Sequence, residues 1–236
     1  MILTVLVDKI LPIDYSIDLL NVAFSNPNTP NSFDVPDRKT GLNGLSELQS
    51  LSSRKWNFIN IDIKPDEIHQ VEQYIYKLIY PCCTIMDMTI GTALWFAARG
   101  KGTLYNKDNN NSINVEYTSP SKVILSGLGA DEQLAGYGRH RSAFMFRGWQ
   151  GLQQELEKDT YRLWKRNLGR DDRIISDHSR EVRFPFLDEN VMSFINTVPL
   201  FQIANLNEKQ GFGDKRILRK VKIMLILNFT VNIGWY

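Results

Sequence analysis

The chain has 236 residues, enough for one large domain or two small ones. Its 43% hydrophobic and 23% charged residues are typical of a soluble globular protein, and a net charge of +2 gives no reason to expect a nucleic-acid or membrane partner. The two cysteines, Cys82 and Cys83, are adjacent, which excludes the spacing of a zinc site and favours a reduced, cytoplasmic chain.

Neither end of the chain is expected to enter a membrane. The amino terminus, MILTVLVDKILPID, has no basic leader and no small-residue cleavage site. The carboxyl terminus, IMLILNFTVNIGWY, is interrupted by Asn228 and Asn232, and both apolar runs are shorter than the roughly 20 residues that a spanning helix needs. Residues 220–236 are therefore predicted to form a divergent apolar tail.

The first half of the chain alternates strand and helix patterns. Ile17–Phe24 is a compact β-like run, and the alternation in NFINIDI predicts a strand over Asn57–Ile63. Between them, the polar stretch Ser25–Asn43 is broken by Pro27, Pro30 and Pro36. Thr40 can cap a short helix over Leu42–Leu51.

Two more helices and a third strand follow. Pro65 begins a helix that Pro81 stops, with apolar residues at three- and four-residue intervals at Ile68, Val71, Ile75 and Leu78. A second helix is expected over Met88–Arg99. The asparagine-rich segment Gly100–Ser121 is typical of an exposed loop or insertion, and Lys122–Leu125 (KVIL) is predicted to be a short buried strand.

This alternation predicts a mostly parallel sheet covered by helices on both faces, with ligands at the carboxyl ends of its strands. The second half has no strong strand pattern. Its helical faces carry Trp149, Tyr161 and Trp164, which we expect to lie in the core rather than to contact a ligand. The chain is thus predicted to be an α/β layer over residues 1–138, followed by a helical region over residues 139–219.

The segment SGLGADEQLAG, Ser126–Gly136, follows the third predicted strand directly and is called the glycine loop below. Its glycines allow sharp turns and close approach to a ligand, and its serine and main-chain amides can bind a phosphate or a purine edge. Asp131 can hold Mg²⁺ against a triphosphate. The structural alternative is a turn followed by two acids, Asp131 and Glu132, that favour the start of a helix. The segment alone leaves both interpretations open.

Three segments, in order, resemble the asparagine synthetase family of ATP pyrophosphatases. The glycine loop resembles its SGxGxDE motif. RDDRIISDHSREVRFPFLDENV (Arg170–Val191) resembles its R-D-R…E-x-R-x-PFLD segment, and GDKRILR (Gly213–Arg219) resembles its K-x-x-L-R lysine motif. The resemblance covers residues 1–219. It implies a Rossmann-like parallel sheet of the ATP pyrophosphatase (adenine nucleotide alpha-hydrolase-like) type, followed by a helical region.

The resemblance also implies a reaction. The family activates the side-chain carboxylate of aspartate with ATP and Mg²⁺, forming an aspartyl-adenylate that ammonia derived from glutamine then attacks. Matching positions are Val22, Ser126 and Gly127 near the adenosine, Asp131 at the Mg²⁺ and phosphates, and Lys215 as the catalytic residue near the phosphates. A metal and a lysine can offset charge on the leaving pyrophosphate without moving protons. Nothing in the sequence indicates the oligomeric state.

Several residues of these motifs, and two histidines, can also be interpreted as structural. For Arg180, Glu181, Arg183 and Asp188 we favour an ion-pair network that pins the PFLD turn. Lys215 could belong to a solvated basic face with Arg216, Arg219 and Lys220, although the motif match favours a functional role. His140 and His178 have no acidic or cysteine partner at a telling spacing, and we interpret them as surface or polar-network residues.

Three departures from the family suggest impaired catalysis. The SGGxDS pyrophosphate loop would precede Met1, so the sheet is predicted to be truncated at its first strand. The glutaminase domain with its near-terminal cysteine is not found. Leu128 stands where the family usually has a glutamate, and leucine cannot take a proton. A truncated or alternatively spliced product would explain both ends of the chain.

Two other functions remain in competition. One is a non-catalytic remnant or protein-interaction module that keeps the fold but cannot adenylate. The other is an adenylating pyrophosphatase with a different acceptor, such as a tRNA base, against which the small net charge and the lack of an aromatic-basic stripe argue.

Overall fold

The computed structural model describes residues 1–25, 32–106 and 115–230, and it shows the mixed α/β class that the sequence predicts. Pro27, Pro30 and the end of the predicted tail, residues 231–236, lie outside the described residues. Within the described residues, no helix has both the length and the apolar character needed to cross a membrane.

The described residues form six strands in two sheets. The strands are β1 (Ile17–Phe24), β2 (Trp56–Ile63), β3 (Lys101–Leu104), β4 (Glu116–Thr118), β5 (Val123–Leu125) and β6 (Glu181–Arg183). The first four form one sheet in the order β1-β2-β3-β4, and the last two form the second sheet. The predictions of β1 and β2 are therefore confirmed, whereas β6 was missed.

The prediction of a mostly parallel sheet is wrong. β1 and β2 are parallel, with Ile17 opposite Trp56, but β3 runs antiparallel to both β2 and β4. Two helices separate β2 from β3 instead of the single crossover helix typical of a parallel unit. The segment 100–121 is also not wholly a loop, because it contributes β3 and β4. The strand before the glycine loop, β5, lies outside this sheet, and its residues Val123 and Leu125 are exposed rather than buried.

Ten α-helices complete the described residues. They are α1 (Ile2–Ile10), α2 (Pro36–Leu51), α3 (Pro65–Ile79), α4 (Ile85–Arg99), α5 (Ala130–Gln133), α6 (Gly138–Leu163), α7 (Gly169–Ser176), α8 (Glu189–Thr197), α9 (Leu200–Ile203) and α10 (Arg216–Thr230). α3 confirms the prediction from proline and periodicity.

α2 begins six residues before the predicted Leu42. Pro36 takes its first turn, where a missing amide hydrogen costs nothing. Thr40 is therefore not a cap: it lies inside the helix, and its hydroxyl donates to the Pro36 carbonyl at 2.9 Å. α4 begins three residues before the predicted Met88, because Thr84 caps it by accepting a hydrogen bond from the Asp87 amide.

The chain divides into two compact units. The helical unit comprises Met1–Leu6, Leu125–Leu168 and Arg183–Tyr236, and the sheet unit comprises Val7–Ile124 and Gly169–Val182. The glycine loop and the lysine motif both belong to the helical unit. The boundaries predicted from the sequence at residues 138 and 219 stay predictions.

The sheet unit has two apolar clusters. One is centred on Ile59, Ile61 and Phe96, and the other on Ile75, Ile79 and Ile174 of α3 and α7. Gly91 of α4 fits the second cluster because a Cβ there would lie 2.8 Å from the Ile79 side chain.

The core of the helical unit contains Leu134, Leu152, Leu156 and Ile203, packed with neighbouring aliphatic residues. The prediction that the aromatic residues of this region lie in the core is wrong, because Trp149, Tyr161 and Trp164 are 41%, 77% and 63% exposed. Leu152, Leu156 and Leu163 of α6 take the buried positions instead.

Candidate functional site

The glycine loop begins with a tight turn whose polar groups bond locally. The Ser126 amide donates to the Arg183 carbonyl at 2.9 Å, which fixes the loop to the end of β6. The Leu128 amide donates to the Ser126 hydroxyl at 3.3 Å, and the Ala130 amide donates to the Gly127 carbonyl at 3.3 Å. A side chain added at Gly127 would meet no atom within 4 Å, so the main chain is open to a ligand at this point.

Two glycines are required for different reasons. Gly129 has φ of +96°, and a Cβ there would lie 2.3 Å from the Leu187 side chain. Gly136 lies against Asp131: a Cβ would lie 1.8 Å from the carboxylate Oδ1 and 2.8 Å from the Asp131 Cα. The glycines of this loop therefore allow close packing around Asp131 as well as a sharp turn.

The structure brings together Asp131 and Lys215, which are 84 positions apart in the chain. Lys215 Nζ donates to Asp131 Oδ1 at 2.7 Å, with the two side chains 31% and 36% exposed. The Lys215 amide also donates to the Leu134 carbonyl at 3.0 Å, so the main chains of the loop and of the lysine motif are joined. Lys215 thus points to a specific carboxylate and is not simply part of a solvated basic face.

The segment that leads to Lys215 is held by several polar contacts. Gly213 approaches Asn205 so closely that a Cβ would lie 1.8 Å from the Asn205 carbonyl. Burial by itself would raise the pKa of Asp214, but hydrogen bonds from Arg219 and from the Gly211 amide outweigh it, so the pKa is lowered. Arg141 of α6 donates to the carbonyls of Leu206 and Glu208. These contacts fix the main chain from which Lys215 extends.

A buried polar network continues from the loop into α6. Glu132 is 4% exposed; it accepts the Gly129 amide at 3.0 Å and the Tyr137 hydroxyl at 2.6 Å. Burial and this bond to Glu132 raise the pKa of Tyr137 well above its usual value of 10.0. The Tyr137 amide donates to His140 Nδ1 at 3.3 Å, and His140 Nε2 bonds Asp159 at 2.7 Å.

The hydrogen bonds fix the state of His140. Because Nδ1 accepts from an amide, the proton of the neutral ring must lie on Nε2, facing Asp159. Burial lowers the pKa of His140, although Asp159 acts in the opposite direction. Arg139 also bonds Asp159, at 2.6 Å, and its guanidinium lies 4.0 Å from the Tyr137 ring centroid. The prediction that His140 belongs to a polar network is confirmed, but His140 itself is fully buried and does not lie at the surface.

Two residues of the second motif, Arg180 and Asp188, bind main-chain groups. Arg180 donates to the carbonyls of Ser119 and Ser121, and Asp188 caps α8 by accepting the amides of Asn190 and Val191. For these two residues the contacts stabilise a chain segment and a helix start. The ion-pair network predicted for Arg180, Glu181, Arg183 and Asp188 stays a prediction. His178 packs on Trp95 with ring centroids 4.6 Å apart, and burial lowers its pKa.

Val22 lies on β1 of the sheet unit, opposite Ile61 of β2, and packs against the buried cluster of that sheet. Its predicted contact with adenosine stays a prediction. Within the residues that the structure describes, neither Cys82 nor Cys83 forms a disulfide; Cys82 is half-buried and Cys83 is exposed.

The loop fits a magnesium nucleotide in one specific way. Across residues 1–25, 32–106 and 115–230, no group of three or more histidine, cysteine or acidic side chains could hold a metal ion. Mg²⁺ needs no such cage when phosphate oxygens complete its ligands around one or two carboxylates. Asp131 is a carboxylate that could serve, and the open space over Gly127 could admit the nucleotide. The residues therefore fit Mg²⁺ only together with a triphosphate.

Comparison with known proteins supports the resemblance of the three motifs. The family model described as asparagine synthase matches residues 144–222, which include Lys215. The chain is 43% identical to asparagine synthetase domain-containing protein 1 of Mus musculus, over 93% of this chain and 40% of that protein. It is 41% identical to the Homo sapiens protein of the same name, over 95% of this chain and 40% of that protein.

A more distant relative shows the same coverage. The chain is 36% identical to an asparagine synthetase domain-containing protein of Drosophila melanogaster, over 92% of this chain and 38% of that protein. The chain thus spans about two fifths of the length of the curated relatives it matches. Over the part of those relatives that it spans, the chain belongs to the asparagine synthetase family.

Proposed function

We propose that this chain contributes to an ATP-dependent ligase of the asparagine synthetase type, which amidates aspartate through an aspartyl-adenylate. The observation that carries this proposal is the 2.7 Å pair between Lys215 and Asp131, set beside a turn with open space over Gly127. A carboxylate and an ammonium group at one loop are the two charges that a magnesium triphosphate requires.

Each residue has a distinct task in this reaction. ATP transfers its AMP group to the side-chain carboxylate of aspartate, and pyrophosphate leaves with the electron pair of the broken bond. Lys215 would bind the pyrophosphate oxygens and offset their growing charge. Asp131 would ligate Mg²⁺, which supplies further charge compensation when bound. Ser126 and Gly127 would contact the adenosine through hydroxyl and main-chain groups, and Val22 stays a candidate for the same role.

The finer parts of the proposal concern fold and setting. We assign the α/β part to the ATP pyrophosphatase type, supported by the parallel β1–β2 pair and by the 43% identity to the Mus musculus relative over 93% of this chain. Ammonia from glutamine would be the second substrate, and the cytoplasm the compartment. The ammonia follows from the family, and the compartment follows from the two adjacent cysteines.

Aspartate-dependent exchange between ATP and labelled pyrophosphate tests the proposal, measured on the full-length protein. We expect Asp131→Asn and Lys215→Met each to lower the exchange rate by about 10²-fold or more, as when a residue that offsets transition-state charge is removed. Asp66→Asn is the matched control: Asp66 is an exposed carboxylate of the sheet unit, and its removal should leave exchange unchanged. Equal exchange in the wild type and in Asp131→Asn would refute the assigned roles.

One observation favours a second function, a non-catalytic member of the family. Leu128 lies in the glycine loop where the resemblance places a glutamate, and its side chain cannot move a proton. In this case the protein would bind nucleotide and could still exchange pyrophosphate, but it would form no asparagine, because the missing proton acceptor serves the amidation step. Replacing Leu128 with glutamate separates the two functions, because restored amidation would show that this position alone limits the chemistry.

A further inference from the structure

The side chain of Gln133 links two segments that lie far apart in the chain. It is 7% exposed, and its Nε2 donates to the Gly129 carbonyl at 3.1 Å and to the Phe186 carbonyl at 2.7 Å. Both partners are acceptors, and only the amide nitrogen of glutamine can donate. The orientation of the amide is therefore fixed by its surroundings.

The two linked segments also touch at two other points. The Ser126 amide donates to the Arg183 carbonyl at 2.9 Å. The Leu187 side chain packs onto the Cα of Gly129, where a Cβ would lie 2.3 Å from it. The segment Arg183–Leu187 thus contacts the glycine loop at its first residue, at its central glycine and, through Gln133, at its first helical turn.

Gln133 differs from the other contacts because it uses a side chain to hold main chain on both sides. The Gly129 carbonyl already accepts the main-chain amide of Gln133 at 3.2 Å, so the added bond from the side chain fixes its direction further. The direction of this carbonyl and the φ of +96° at Gly129 set the path of the chain into Asp131. In a site that holds reactants, a misplacement of about 1 Å can cost about 10²-fold in rate, so the placement of this loop matters.

We propose that Gln133 is a positioning residue of the nucleotide site: it clamps the glycine loop to the segment Arg183–Leu187 and so sets the placement of Ser126, Gly127 and Asp131. The inference rests on the proposed function, because the loop must bind a nucleotide for its placement to matter. It gives the PFLD segment a role that an ion-pair network does not supply.

The affinity of the full-length protein for magnesium ATP tests the inference, with titration calorimetry as the readout. Gln133→Met keeps the length of the side chain and removes both donors. We expect its affinity to fall about ten-fold, the scale of one lost hydrogen bond with its acceptor left buried. The matched control is Gln153→Met, because Gln153 is an exposed glutamine of α6 whose bond goes to another surface side chain, Glu157.

A pH profile separates positioning from a merely structural role. In Gln133→Glu, an ionised carboxylate would face two carbonyl oxygens and repel them, whereas the protonated form can donate to one of them. We expect nucleotide affinity of this variant to rise as pH falls through the pKa of the new carboxyl, with no such rise in the wild type. All titrations are made at a temperature where melting curves show each variant folded.

The outcomes distinguish the inference from the proposed function. If wild-type protein binds no magnesium ATP, the proposed function fails, and the inference fails with it. Binding of magnesium ATP by the wild type but not by Asp131→Asn would keep the proposed function. If folded Gln133→Met then binds magnesium ATP as tightly as the wild type, the inference alone is overturned. A ten-fold loss in Gln133→Met together with the pH-dependent recovery in Gln133→Glu supports it.

Discussion

Replacing Gly136 with alanine should damage the candidate site and the stability of the helical unit together. The new Cβ would lie 1.8 Å from Asp131 Oδ1, the same atom that accepts the hydrogen bond from Lys215. It would also lie 2.8 Å from the Asp131 Cα, so a rotation of the carboxylate cannot relieve the clash. The main chain between residues 131 and 136 must therefore move, against the 2.9 Å hydrogen bond from the Gly136 amide to the Asp131 carbonyl.

The expected cost can be worked out from these contacts. Forcing an extra methyl group into a packed site costs about 1–3 kcal/mol. The lost ion pair adds at most about 1 kcal/mol, because both side chains are about one third exposed and water screens them. Loss of glycine freedom in the unfolded chain offsets about 0.4–1 kcal/mol. The free energy of unfolding should thus fall by about 1–3 kcal/mol.

Urea unfolding at pH 7, followed by tryptophan fluorescence, measures this change. Gly138→Ala is the matched control, because Gly138 begins α6 and a Cβ there would meet no atom within 4 Å. The control should change the free energy of unfolding by no more than about 0.5 kcal/mol. If Gly136→Ala unfolds at the same urea concentration as Gly138→Ala, the close approach to Asp131 does not exist and the reasoning is refuted.

Two further predictions concern buried charges. The side chain of Arg54 is fully buried; it bonds Asp8 Oδ1 at 2.5 Å and the carbonyls of Asp8, Leu11, Pro12 and Tyr15. Arg54→Met should therefore lower the free energy of unfolding by about 3–5 kcal/mol, whereas Lys55→Met, at an exposed residue, should leave it unchanged. An equal urea midpoint for the two variants would contradict this prediction. The pKa of His140 lies below its usual 6.5 in the folded chain, so the unfolded chain binds more protons near that pH. The free energy of unfolding should therefore fall as the pH drops through about 6.5, and it should stop falling once the pH is below the folded pKa. His140→Gln should lessen this slope, and an unchanged slope would show that His140 does not titrate on unfolding.

The elements that the sequence predicted correctly are long enough to show a clear apolar pattern. β1 and β2 alternate or run apolar over eight residues each, and α3 has both a starting proline and four apolar positions at helical spacing. β3 and β4 have only four and three residues, and they occur in a polar segment, so no periodicity could reveal them. Their pairing is set by long-range hydrogen bonds that the local sequence does not encode.

The candidate site was predicted from family motifs more than from physics. No spacing rule connects Asp131 with Lys215, and the resemblance alone predicted that both belong to one site. The sequence predicted a polar network for His140 but missed its members Glu132, Tyr137 and Asp159. His140 and Asp159 lie 19 residues apart on α6. A regular helix would not bring them together, but Gly148 has a non-helical φ of 60° and interrupts the helix between them.

Backbone strain supports the site independently of the resemblance. Three non-glycine residues among those described have positive φ: Ala135 at 57°, Ser179 at 55° and Lys215 at 48°. Such a conformation costs an L-residue about 1–2 kcal/mol, and it persists only where surrounding contacts enforce it. Ala135 lies between Asp131 and the glycine that packs on it, and Lys215 carries the partner ammonium. Two of the three strained positions therefore flank a single ion pair, and the 3.0 Å bond from the Lys215 amide to the Leu134 carbonyl holds them together. A surface ion pair contributes at most about 1 kcal/mol, so contacts other than the pair itself must enforce these two conformations, and the main-chain bond from Lys215 to Leu134 is one of them.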